Sequence, residues 1–326
     1  MKLLSMLAAI ALFSSVTKAQ IKRAYHKNAH LKYEVNTRNG LLNGTYTSWY
    51  PNGQKKAEGE FQNNQRMGTW KVWSPLGILK THRNYQNAYQ FTILAQQDDN
   101  GESLSIPKFL VYELMKNEMD YIEYPNTDGK DVCWQKNIWR KIEKNATNAP
   151  LFSGQTMDVL LKELSKNKTI SIYKPSFDKA KVELNAGERE KLLKQKEETL
   201  VGFYIKEVAF FDLARQLSEN RIFQICPIVK SKEGDKEKAL FWLSYEEIRP
   251  LLAQQKVSVV GNSMIETLED WLHFRHFQST IEKESNAYDR KIEAYATGNA
   301  FKKEQERIEM QLLDREHDLW LLQEVN

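Results

Sequence analysis

Between about Leu31 and Tyr89 the chain repeats itself every 24 residues. Gly44, Tyr46, Trp49 and Gly53 return as Gly68, Trp70, Trp73 and Gly77, and Phe61-Gln62-Asn63 returns as Tyr85-Gln86-Asn87. Each unit reads glycine, aromatic, aromatic, turn (Pro51-Asn52-Gly53, then Pro75-Leu76-Gly77), followed by a further strand. A unit this short cannot bury its own aromatics, so the repeat predicts a stack of β-hairpins that share one apolar face. Tyr46, Trp49, Trp70 and Trp73 are then either repeat core or the rings of a ligand-binding face.

The pattern Asn43-Gly44-Thr45-Tyr46-Thr47-Ser48-Trp49-Tyr50-Pro51-Asn52-Gly53 resembles the MORN-like repeats of bacterial proteins, including antitoxin-like repeat proteins. Residues 20–95 are assigned to this unit, which is expected to fold separately from the rest. Gln96 to Ser103 is polar and aperiodic, and Ile106 to Tyr124 fits helix or strand equally, so 96–127 reads as a linker.

Ahead of the repeats, Lys2 gives a positive start, Leu3 to Val16 is largely apolar, and Thr17-Lys18-Ala19 approximates a cleavage site before Gln20. The apolar run is too short to span a bilayer, so 1–19 is expected to be a signal peptide. No cysteine lies near the site for lipid attachment. Removing Lys2 and Lys18 leaves 45 basic against 43 acidic residues, a net charge of +2. Basic and acidic residues alternate, so no single-sign stripe points to nucleic acid. An oxidising compartment permits a Cys133–Cys226 bridge. Each cysteine, however, lies in an apolar run where a small buried thiol is commoner.

The second unit, 128–326, centres on Arg221 to Leu252. Two runs rich in β-branched and aromatic residues, Arg221–Val229 and Leu240–Tyr245, flank a charged, glycine-containing loop and read as a hairpin. Pro227 lacks an N–H and puts an edge or bulge in the first strand. Val201 to Phe211 adds a third strand, giving an antiparallel β-meander. Helices are expected to cover it. Asp131 would cap one carrying Ile138, Trp139 and Ile142; Thr156 one carrying Val159, Leu160 and Leu164, with Asn167 just past its end and a strand from Thr169 to Tyr173. Asn185 to Glu198 reads as a solvent-facing helix, and Glu246 to Ala253 turns helical. Ser263 with Glu266 forms a capping box ahead of Ile265, Leu268, Trp271 and Leu272. The last helix, about Asn299 to Leu322, buries Phe301, Ile308, Leu312 and Leu319, with Lys302 and Glu306 paired outside. The fold class is therefore α+β.

Catalytic constellations are weak throughout. His273 and His276 stand three apart without an HExxH pattern, Gly261-Asn262-Ser263 lacks the second glycine of a nucleophile turn, and Glu246-Glu247 is adjacent rather than facing. No glycine-rich phosphate loop exists. Asn43, Asn145 and Asn167 begin Asn-x-Thr triplets, which matter only in a glycosylating pathway. No enzyme activity, cofactor or metal is expected.

From Asp131 onward the order of motifs resembles the GldN/PorN family of the type IX secretion and gliding machinery of Bacteroidetes-type bacteria. The matching residues include Asp131-Val132, Ile138-Trp139-Arg140-Lys141-Ile142, Asn148-Ala149-Pro150-Leu151, Ile225-Cys226-Pro227-Ile228-Val229, Leu240-Phe241-Trp242-Leu243 and Arg249-Pro250. Lys283-Glu284-Ser285-Asn286-Ala287-Tyr288-Asp289-Arg290 and Glu316-His317-Asp318-Leu319-Trp320 are the most specific. The resemblance implies a periplasmic, non-lipidated protein peripheral to the outer membrane. It also implies a homo-oligomeric ring with a GldK/PorK-type outer-membrane lipoprotein and contact with the periplasmic domain of a GldM/PorM-type protein. The N-terminal repeats and the stretch from Lys179 to Leu200 depart from the pattern. Lys283, Asn286, Tyr288, Asp289 and Arg290 are the candidate partner-binding residues, because Tyr and Arg dominate binding energy and loops carry contacts. The alternative is a stand-alone periplasmic repeat protein binding cell-envelope ligands.

Overall fold

A computed structural model describes residues 19–86, 91–106, 115–153, 156–177, 182–193, 198–231, 236–259 and 265–321. The expected signal peptide, apart from Ala19, and Ser263 lie outside the described residues, as do Asn87 and 107–114 of the segment read as ambiguous.

The repeat builds a seven-stranded antiparallel sheet in simple sequence order. Its strands are β1 (Ala19–Tyr25), β2 (Leu31–Arg38), β3 (Leu41–Trp49), β4 (Lys55–Gln62), β5 (Gln65–Trp73), β6 (Leu79–Tyr85) and β7 (Phe91–Gln96). Two families of turns recur in phase. On one side Asn39-Gly40 and Asn63-Asn64 both have positive φ at their two central residues, the geometry that matches hairpin twist and that Asn and Gly tolerate. On the other side Ala29, Gly53, Gly77 and Gly101 close four equivalent turns, 24 residues apart from each to the next, with their N–H groups donating to His26, Tyr50, Ser74 and Asp98. Successive turns are stitched together: Asn28 Nδ2 donates to the Pro51 carbonyl at 2.7 Å and Asn52 Nδ2 to the Pro75 carbonyl at 3.0 Å.

The fourth of these turns corrects the linker reading of Gln96 to Ser103. Asp98 Oδ1 accepts from the Asn100 and Glu102 backbone, and Gln97 bridges Ser103. The polar stretch is thus one more turn of the repeat. Residues 115–127 also depart from a solvated linker. Tyr121 and Ile122 are buried, Arg249 donates to the Ile122 carbonyl, Arg221 Nη2 to the Pro125 carbonyl at 2.7 Å, and Lys116 Nζ to Asp270 at 3.0 Å.

The second sheet is also antiparallel, in the order β14–β8–β10–β11–β13–β9. It is built on β10 (Glu198–Asp212) and β11 (Leu217–Ser231), fifteen residues each, flanked by β8 (Val132–Glu143), β9 (Ile172–Tyr173), β12 (Glu237–Ala239), β13 (Trp242–Ser244) and β14 (Thr280–Glu284). β8 replaces the helix expected after Asp131. Ile138 and Ile142 alternate with Trp139 on opposite faces of an interior strand, and burial on both faces gave the run an apolar content that also fits helical spacing. Pro227 sits opposite the break between β12 and β13, where its carbonyl accepts from Leu240 N–H at 3.0 Å. The expected second strand of the hairpin is interrupted there.

Four helices pack on or beside this sheet: α1 (Thr156–Lys166), α2 (Ala186–Leu193), α3 (Tyr245–Ala253) and α4 (Leu268–His273). α2 has no buried residue among those described. Only Ile172–Tyr173 of the expected 169–173 strand pairs. α4 begins later than expected. Its capping box is Thr267 with Asp270, Thr267 accepting from the Asp270 N–H and the Asp270 carboxylate from the Thr267 N–H, both at 3.0 Å. Neither cysteine is bridged: Cys226 is buried, and Cys133 is exposed rather than buried as its apolar run suggested.

The final helix, α5 (Gly298–Leu319), lies between the sheets. Ile308 packs on Ile138, Ala209, Ile281 and Ile292 of the second unit. Met310, Leu319 and Trp320 pack with Tyr46, Phe61, Trp70 and Tyr85 of the first. The hairpin stack is therefore closed by α5, not by itself, and the two units share a core. Glu306 pairs with Lys22 at 3.0 Å rather than with Lys302.

Candidate interaction site

The block Lys283 to Arg290 divides into two roles. Lys283 lies on β14 and is 2% exposed; its Nζ donates to the Phe177 carbonyl at 2.9 Å, pairs with Asp289 Oδ1 at 2.9 Å and stands 4.8 Å from the Trp139 ring centre. Asn286 shapes the loop. Its Oδ1 accepts from the Tyr288 and Arg290 N–H groups, and its Nδ2 donates to the Glu284 and Arg290 carbonyls. Asp289 adopts φ 51°, a conformation Asp tolerates better than most residues, and turns back onto Lys283. These three hold the loop in place.

Tyr288 and Arg290 face outward. Tyr288 is 76% exposed, and the Arg290 guanidinium lies 4.6 Å from its ring centre and 5.4 Å from that of Tyr295. Tyr295 follows the short 3-10 turn Ile292–Ala294, and its hydroxyl donates to Glu304 Oε1 at 3.2 Å. Glu304 in turn receives Arg307 Nε at 2.7 Å, which lowers its pKa. The product is a fixed Tyr–Arg–Tyr stack on the surface. Tyr295 was not legible as part of it, since only the fold brings it to Arg290.

A cavity of about 380 Å³ opens where the two sheets and α5 meet, lined by Arg66, Arg140, Arg275, Glu309, Glu316 and Phe277 among others. Its charges are matched internally. Buried Glu207 accepts from Arg140 Nε and Arg275 Nη1, both at 2.5 Å, while Arg140 also pairs with Glu309. Burial alone would raise the Glu207 pKa; Arg275 and Arg140 outweigh it and bring it below the usual carboxylate value. Arg66 Nη2 meets Glu316 Oε2 at 2.5 Å. This network joins the units rather than awaiting a ligand.

His273 and His276 do not converge on a metal-ligand set. Burial, then Arg249 and Arg221, push the His273 pKa down to about 3, and its ring stacks on Tyr124 at 5.2 Å. No group of three or more His, Cys, Asp or Glu able to hold a metal occurs among the described residues. Nor is any described helix long and apolar enough to cross a membrane.

Residues 127–321 match the family model described as gliding motility associated protein GldN. The chain belongs to the GldN family. That family is a cell-envelope component of gliding motility and type IX secretion, not a known enzyme family. No curated protein matches the chain. The family match ends at α5 and leaves out the N-terminal sheet, which buries the last block of the motif: His317 lies 5.4 Å from the Tyr46 ring and 5.6 Å from Trp70, and Trp320 stacks on Tyr85 at 6.2 Å.

Proposed function

We propose that the chain is a non-catalytic, periplasmic structural component of a type IX secretion and gliding machine. In this role it forms a ring complex with a GldK/PorK-type outer-membrane lipoprotein and contacts the periplasmic domain of a GldM/PorM-type protein. The GldN match over residues 127–321 carries the reading. The Tyr288–Arg290–Tyr295 stack supports a partner contact at this loop: rigid aromatics and an arginine, held out by a braced loop, are what binding hot spots are made of. Lys283, Asn286 and Asp289 serve that contact by fixing the loop.

Replacing Tyr288 and Arg290 together by Ala removes the stack without touching the Lys283–Asp289 brace. The double variant is expected to keep its melting temperature and to lose recovery of the ring lipoprotein from envelope fractions. Full recovery by a folded double variant would remove this loop from the interface.

A further inference from the structure

We propose that the outer face of the N-terminal sheet, the face turned away from α5, is a binding site for an uncharged β-1,4-linked glycan strand. The inference is independent of the GldN assignment, since the sheet lies outside the matched residues.

The 24-residue period places Tyr25, Trp49 and Trp73 at the same position on β1, β3 and β5. Strand alternation turns the buried Tyr46, Ser48, Trp70 and Val72 toward α5 and directs Trp49 and Trp73 the other way. None of the three contributes to an apolar core among the described residues. Tyr25 is 61% exposed, and the tryptophans are half-buried. Leu31, Lys55 and Leu79, themselves 24 residues apart, pair with them across each hairpin, and the Lys55 ammonium lies 5.6 Å from the Trp73 ring centre. The row is a continuous stripe across six strands. Its aromatics recur every second strand, ~9.5 Å apart, about the length of one disaccharide in an extended β-1,4-linked chain. Such a chain presents a flat sugar face to each ring in turn.

The neighbouring row on the same face supplies polar groups. Arg23 meets Glu34 at 2.6 Å, Lys55 meets Glu58 at 2.7 Å, and Lys71 approaches Glu58 at 3.9 Å, with Thr47 between Glu34 and Glu58. Because the two carboxylates neutralise all but one of the three cations, the face has little field with which to attract a polyanion. It keeps donors and acceptors suited to hydroxyl groups. Stacking platforms beside a neutralised polar row select a neutral sugar polymer.

The test uses the full chain titrated with cellohexaose and chitohexaose, followed by tryptophan fluorescence and calorimetry, with maltohexaose as the curled α-1,4-linked control. Binding of at least one β-1,4 hexamer and not of maltohexaose is expected. Trp49→Ala should weaken it about tenfold. Tyr25→Ala, at a solvent-exposed ring whose loss leaves the fold intact, should do the same and keeps the test informative if the tryptophan variant unfolds. No binding of either β-1,4 hexamer, equal binding of maltohexaose, or wild-type affinity in a folded Tyr25→Ala variant would overturn the proposal. So would a dimer in light scattering that Tyr25→Ala dissolves, since the stripe would then be covered by a second copy.

Discussion

Trp70 and Trp49 are both recurring aromatics of the repeat, at different positions in its unit, and they differ in energy. Trp70 is fully buried, stacked on Tyr46 at 5.7 Å, with its Nε1 donating to the Glu60 carbonyl at 3.1 Å. Trp70→Ala is expected to cost ~3–5 kcal/mol, and Trp49→Ala, on the outer face, about 1–2 kcal/mol; urea unfolding of the two variants measures the difference. Gly59 reports on the same packing, because a Cβ there would lie 2.2 Å from the Trp70 ring. Gly59→Ala should therefore destabilise by about 1–3 kcal/mol. The sequence showed which four aromatics recur, but the face each one takes depends on strand boundaries that a period alone leaves open. The same limit applies to the block from Lys283 to Arg290, where charged residues of like appearance split into a buried brace and an exposed stack. Lys283 could not be read as buried, since its partners Phe177 and Trp139 lie more than a hundred residues away.

At the scale of elements, α5 carries the pH dependence of the contact between the units. His317 is fully buried among Tyr46, Trp70 and Trp320, and neither ring nitrogen has a hydrogen-bond partner among the described residues. Burial first, then Arg66, Lys56 and Arg83, hold its pKa well below the ordinary histidine value of 6.5. The unfolded chain binds this proton first as pH falls, so stability is full above about 6.5 and declines below it. Asp314 acts in a lower window. Burial would raise its pKa, but Lys56 and Lys32 outweigh that and lower it from 3.8, so its contribution fades as pH drops below that value. Glu316, raised by burial despite Arg66, works in the opposite sense. The melting temperature is expected to fall between pH 7 and pH 5, and His317→Phe, which leaves no unpartnered nitrogen, should flatten that slope at little cost at neutral pH. An unchanged slope in the variant would assign the effect elsewhere, His273 being the next candidate. Which elements were legible follows from their burial. A one-sided element such as α1 kept a clear period, whereas β8, covered on both faces, gave a run compatible with either structure. The fourth repeat turn was hidden by its polar composition, although Gly101 follows Gly77 at the same 24-residue interval as Gly77 follows Gly53.

For the whole molecule, the shared core predicts one cooperative transition. Calorimetry of the full chain should give a single peak that Trp70→Ala moves as a whole; two resolved peaks would mean that the hairpin stack unfolds by itself. A core shared in this way also sets a length. Along α5, Glu306 meets β1 through Lys22, Asp314 meets β2 and β4 through Lys32 and Lys56, Glu316 meets β5 through Arg66, and Trp320 reaches Tyr85 on β6. The helix thus crosses the strands, covering ~21 Å between Glu306 and Trp320 where five strand spacings need ~24 Å. Hairpin repeats can in principle be copied without limit, because each unit leaves an edge ready for the next. Here α5 acts as a gauge: a further 24-residue unit would add two strands whose aromatics had no helix above them. The number of repeats this chain can carry is therefore fixed by the length of a helix more than two hundred residues away.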